Sequence, residues 1–181
     1  MDSYVAFLRG MNVGGHRITN DELRTHVAAL GFDDVATFRA SGNVVFGAHE
    51  REPLDEVAKR IEAGLQDALG YAVPVFARTA KQVQAMAAHQ PFEAKLLAAS
   101  KGKLQVVMLT VKPTAAKRKQ ALALASDEDR LAVRDSELYW LPSGGLLESE
   151  LDLKALGKLL GATTTRTKGT IEQIAAKHLA D

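Results

Sequence analysis

Residues 4–22, YVAFLRGMNVGGHRITNDE, set how the chain begins to fold. Tyr4–Leu8 is a continuous apolar run, which predicts a buried strand. Thr19 and Glu22 stand at capping-box spacing and predict a helix start behind the strand. That helix carries Leu23, Val27 and Leu30 on one face and stops at Gly31. Val35–Arg39 and Val44–Phe46 read as two strands around the turn Ala40-Ser41-Gly42-Asn43. Pro53 suits the first turn of a second helix, with Leu54, Val57, Ile61, Leu65 and Leu69 as its apolar stripe and Gly70 as its end. Val73–Phe76 is a fourth strand, and Pro74 suggests an edge position. The order β-α-β-β-α-β is that of the ferredoxin-like unit.

The pattern then restarts. Ala80–Ala88 looks helical, His89-Gln90-Pro91-Phe92 breaks it, and Ser100–Lys103 is polar enough to mark a boundary. Leu104–Leu109 reads as a strand, Pro113–Ala125 as a helix, and Leu131–Arg134 with Leu138–Leu141 as a hairpin. A helix over Leu147–Leu160, a short strand over Ala162–Arg166 and a closing helix over Ile171–Leu179 complete the chain. The expectation is an α+β protein of two ferredoxin-like (βαββαβ) subdomains packed together, plus an extra C-terminal helix. Residues 1–78 form the first, 79–102 a helical connector and 103–181 the second. Element order alone relates the halves; no residue-level repeat is read between them.

Composition narrows the function. The chain has 181 residues, 46% of them hydrophobic, enough for a sizeable core. A net charge of +1 removes the usual electrostatic case for nucleic-acid binding. With no cysteine, disulfides, zinc thiolates, iron–sulfur clusters and cysteine nucleophiles are excluded. The start does not read as a signal peptide, and no apolar stretch approaches bilayer-spanning length. A soluble, cytoplasmic monomer is expected, with no membrane partner, no metal and no cofactor. The five histidines are scattered, without metal-ligand spacing.

The loop after the first strand carries the functional interest. In a ferredoxin-like sheet of order 4-1-3-2, this loop and the turn between strands two and three share one end. Arg9, Asn12, His16, Arg17, Arg39, Ser41 and Asn43 are then brought together with the N–H groups of Gly10, Gly14, Gly15 and Gly42. Guanidinium forks suit phosphate or carboxylate, and N–H groups of a glycine-rich loop form an anion-binding concavity. The capping box already occupies N–H groups of the helix end, and Asp21 and Glu22 make it acidic. A bound anion therefore sits on the loop and the arginines. Taken singly, each residue has a plain structural account: a positive-φ turn, an ion pair or an Asx-turn. The loop is neither a P-loop nor a dinucleotide fingerprint, and no Gly-x-Ser-x-Gly elbow is present.

The loop Leu8–Arg17 resembles the LRGxNVGG signature of the DUF1697 family, bacterial proteins of undefined function. Leu30-Gly31-Phe32, Ser41–Phe46, Pro91-Phe92 and Glu137–Pro142 resemble further family segments in the same order, over Tyr4 to about Leu179. The resemblance implies two related ferredoxin-like halves and brings no established activity, cofactor or catalytic residue. The chain departs from the family pattern at Gly145–Glu150, where basic residues give way to apolar and acidic ones. Thr164-Thr165-Arg166-Thr167-Lys168 keeps the family's arginine and lacks the Asn-Trp that follows it. A family site drawing on both halves adds Arg166 to the candidates.

Three functions are weighed. The first is binding of a small anionic or phosphorylated ligand at the glycine-rich loop. The second is an acylphosphatase-like phosphate hydrolase, by fold analogy, with Arg17 holding phosphate and Asn43 orienting water. The third is an RNA-binding module stacking bases on Tyr4, Phe7 and Phe46, although aromatics are only 6% of the chain.

Overall fold

In the computed structural model, which describes residues 2–39 and 42–180, the chain divides into two compact units. The first is Met1–Met86 with Ile174–Asp181, the second Ala87–Gln173. The connector expected over 79–102 is divided between them, its first part in unit one and its remainder in unit two.

Unit one runs β1 (Asp2–Leu8), α1 (Asn20–Ala29), β2 (Asp33–Thr37), β3 (Asn43–Ala48), α2 (Leu54–Leu69) and β4 (Val75–Thr79), then enters α3 (Ala80–Ala88). Its sheet is antiparallel, in the order β2-β3-β1-β4. Tyr4, Ala6 and Leu8 alternate onto one face of β1. There they join Val44 and Phe46, under Leu23 and Val27 of α1 and Val57, Ile61 and Leu65 of α2. Val5 and Phe7, on the other face, are also fully buried, which accounts for the unbroken apolar run. β2 ends sooner than its sequence suggests, because Arg39 takes a left-handed φ of 58° that a strand cannot hold. β4 is an edge strand, as Pro74 implied, but starts only at Val75.

Unit two repeats this plan after α4 (Ala94–Ala99), a helix not anticipated from the sequence. β5 (Gln105–Leu109), α5 (Ala115–Leu122), β6 (Asp129–Arg134), β7 (Glu137–Pro142), α6 (Leu153–Leu160) and β8 (Thr163–Thr167) lead into α7 (Lys168–His178). The sheet order is β6-β7-β5-β8, again antiparallel. The helix expected over 147–160 is shorter. Ser149 Oγ and Trp140 Nε1 both donate to the buried Asp129 Oδ1 at 2.7 Å. Ser149 is thereby tied to the sheet, and only Asp152, capping Ala155 N–H at 2.8 Å, starts α6.

A residue-level repeat does exist, in the last strand and helix of each unit. Arg78 pairs across the sheet with Val5, and Arg166 with Val106. Each buried arginine donates from Nη1 to the carbonyl of the preceding residue, Ala77 at 2.9 Å and Thr165 at 2.8 Å. Each is followed by a threonine whose Oγ1 accepts a helix N–H at 3.2 Å, from Gln82 and from Thr170. Val83 and Met86 then correspond to Ile171 and Ile174, all buried. The C-terminal helix expected as an addition is therefore the counterpart of α3. Only sparse positions match, so the repeat is hidden until the strands set the register.

Two histidines couple stability to pH. Burial, then Arg134 and Lys168, push the His89 imidazole below its ordinary range, and Arg134 Nη1 lies 3.0 Å from His89 Nδ1. Burial and then Lys177 act likewise on His178, whose ring meets Phe38 edge-on. A histidine depressed by folding binds its proton more weakly folded than unfolded, so stability falls as pH drops below about 6.5. Urea unfolding at pH 7.5 and pH 5.5 checks this. The midpoint is lower at pH 5.5, and His89→Gln with His178→Gln flattens the difference.

Candidate functional site

Antiparallel pairing with β1 in the interior puts three connections at one end of the first sheet. They are the loop from β1 to α1, the turn from β2 to β3 and the link from α2 to β4. Backbone bonds join them: Leu8 N–H donates to Gly42 O at 2.8 Å, and Arg9 N–H to Pro74 O at 3.0 Å. The loop after β1 thus meets the Gly42 turn, as the topology demands. Gly42 has φ 74°, which strains any residue bearing a Cβ, and a Cβ there would stand a tight 3.1 Å from Leu8 Cβ, so the position favours glycine.

Several loop residues hold the loop itself. Asn12 Oδ1 accepts from Ile18 N–H at 2.8 Å. Met11 and Ile18 are buried and anchor its ends. His16 stacks on Tyr71, ring centroids 4.0 Å apart, while the Tyr71 hydroxyl donates to Met11 O at 2.9 Å. Tyr71 went unnoticed in the sequence. Its signal is topological, since the link before an edge strand antiparallel to β1 must arrive at this end of the sheet. Gly10, Gly14 and Gly15 all have positive φ and shape the loop's path.

Charge is supplied by three exposed arginines. Arg9 and Arg17 border the loop, and neither forms an ion pair or side-chain hydrogen bond among the described residues. Arg39, on the turn, lies over the Phe38 ring at 5.6 Å. The α1 end is occupied: Thr19 Oγ1 accepts from Glu22 N–H at 3.2 Å, and Glu22 Oε2 accepts from Thr19 N–H at 2.7 Å. The bond from the Thr19 N–H, and then the one the Thr19 hydroxyl donates to the same Oε2 at 2.9 Å, hold the Glu22 carboxyl below its usual range. Asp21 pairs with Arg24 at 3.2 Å.

Other candidates turn inward. Asn43 is fully buried and its Nδ2 donates to Phe38 O at 2.8 Å, so it closes the turn and offers no amide to a water at the loop. The hydrolase reading thereby loses its water-orienting group. Tyr4, Phe7 and Phe46 are buried, so they present no stacking platform for RNA. Ser41 lies outside the described residues. Arg166 belongs to unit two, where burial lowers its guanidinium to about 10 and Thr164 Oγ1 and Thr165 O accept from Nη1.

Unit two provides an internal comparison. Leu109 N–H donates to Ser136 O at 2.9 Å, as Leu8 does to Gly42, beside Asp135 with φ 51°. Thr114 caps α5 as Thr19 caps α1. Yet residues 110–113 suffice to join strand and cap there, where unit one uses residues 9–18. The long glycine-rich loop is not required by the fold.

Two four-stranded antiparallel sheets with seven helices, and no metal-binding cluster among the described residues, define a mixed α+β protein with one elaborated cationic loop. The chain belongs to the DUF1697 family, proteins of unknown function, whose model matches residues 1–139. The conserved bacterial protein SP0830 from Streptococcus pneumoniae has a similar structure, with TM-score 0.71 over 99% of each chain at 16% identity. That likeness speaks to the fold alone. No curated protein matches the chain.

Asn43→Ala removes the buried amide that donates to the Phe38 carbonyl and is expected to cost about 1–3 kcal/mol of stability, read by denaturant unfolding. An unchanged midpoint would show that this bond adds nothing to stability.

Proposed function

We propose that the end of the first sheet binds a small anionic or phosphorylated ligand. Arg9 and Arg17 supply charge, Arg39 and Gly42 line the facing turn, and the N–H groups of Gly10, Gly14 and Gly15 face the anion. The observation that carries this reading is a pair of exposed arginines without ion-pair or side-chain hydrogen-bond partners among the described residues, on a loop tied down at several points. Ties of this kind keep the ordering cost of binding low. The absence of such a loop from the equivalent joint of unit two supports a role beyond folding. With a net charge of only +1, attraction of the anion rests on these local cations rather than on a long-range field.

We further read both units as ferredoxin-like, supported by the shared strand order and by crossover helices on one face of each sheet. A cytoplasmic setting fits a chain without cysteine in which no described helix is long and apolar enough to cross a membrane.

Isothermal titration with inorganic pyrophosphate tests the site. Arg9→Ala and Arg17→Ala are each expected to weaken binding about tenfold, consistent with hydrogen bonds to a charged group. Absence of binding, or an Arg9→Ala Arg17→Ala protein that binds as tightly as the parent, refutes the proposal.

A further inference from the structure

The glycine-rich loop and the link before β4 also share a ring pair, His16 with Tyr71, that anion binding by itself does not use. The His16 and Tyr71 ring planes are inclined by only 26° at a centroid separation of 4.0 Å, closer than the core pairs Tyr4–Phe46 at 5.8 Å and Phe32–Phe46 at 4.5 Å. Unlike those pairs it lies at the surface: His16 is exposed and Tyr71 half-buried. Tyr71 is held by its hydroxyl on the carbonyl of buried Met11, and the His16 backbone by its N–H on Val13 O at 3.1 Å. The imidazole is therefore stacked on a held phenol ring while His16 as a residue stays exposed, which suits it to offer its outer face to a ligand. Unit two has no aromatic residue in the corresponding link, Thr110-Val111-Lys112-Pro113, so the fold does not require the platform.

An open, pre-oriented ring face next in sequence to a cation suits a ligand that is flat at one end and anionic at the other. We infer that the site takes a nucleoside phosphate, its phosphates on Arg9 and Arg17 and its base on the outer face of His16. This rests on the anion-binding reading above and specifies its ligand class. A single mononucleotide fits better than an RNA chain. The platform is one ring, and the aromatics of the sheet strands are buried.

Isothermal titration of the intact protein with ADP and with pyrophosphate, in magnesium-free buffer, separates the two ideas, because both ligands carry two linked phosphoryl groups. ADP is expected to bind about tenfold tighter than pyrophosphate, the gain typical of stacking one base on one ring. His16→Ala should remove that gain and leave pyrophosphate binding unchanged, while His16→Phe should keep it. Equal affinity for ADP and pyrophosphate overturns this inference and leaves anion binding standing. Binding of neither overturns both. An ADP preference that survives His16→Ala places the base elsewhere and also overturns it. Should His16→Ala lose pyrophosphate too, the His16→Phe protein decides, and equal binding of the two ligands by that protein counts against the inference.

Discussion

The hydrogen bond from Leu8 N–H to the Gly42 carbonyl is the joint on which the first unit turns. It extends the β1–β3 ladder past its last residue pair, Phe7 with Asn43, and locks the strand end to the β2–β3 turn. The approach is close, and with φ 74° a residue bearing a Cβ at position 42 is strained. With this joint made, the chain leaving β1 must pass between the turn on one side and the Pro74 link on the other, since Arg9 N–H is bonded to Pro74 O. These two bonds fix the course of the glycine-rich loop before any of its side chains acts.

Unit two makes the same joint with Leu109 and Ser136 and needs no glycine-rich loop to do so. A repeated fold thus separates what the architecture demands from what one copy has added. The demanded parts are the strand-end bond, a threonine cap on the following helix, and the buried Arg-Thr pair at the end of the last strand. The added parts are the longer link, its positive-φ glycines, the exposed Arg9 and Arg17, and the His16–Tyr71 stack. A loop whose ends are anchored in the core by Met11 and Ile18 while its arginines stay exposed is a natural seat of binding, because a rigid sheet positions exposed side chains that the core does not constrain.

Much of the fold was legible in the residues. Apolar runs and stripes gave the strands and the faces of α1 and α2, and the Thr19–Glu22 box gave a helix start that the structure reproduces bond for bond. Boundaries went astray where tertiary bonds intervene: at Arg39, whose left-handed backbone cuts β2 short, and at Ser149, which the buried Asp129 carboxylate holds out of a helix. Of the site, the exposed arginines and the glycines stood out by type and spacing. Asn43 looked equally available but is consumed by its own turn, and Tyr71 carried no local signal.

Residue periodicity and capping chemistry act over a few positions, so the sequence by itself determined the strands and most helices, their order and the cationic character of the loop after β1. Strand pairing acts between residues far apart in the chain, and its consequences were decided only by the tertiary structure. It chose which polar groups of the loop are spent internally, as Asn12 and Asn43 are, and which stay open to solvent, as Arg9 and Arg17 do. It also aligned the sparse Arg-Thr repeat and set His16 on Tyr71. The physical reason is the same throughout: a hydrogen-bonding or stacking partner is assigned by proximity in space, which β1, pinned between β3 and β4, imposes on every segment at its end.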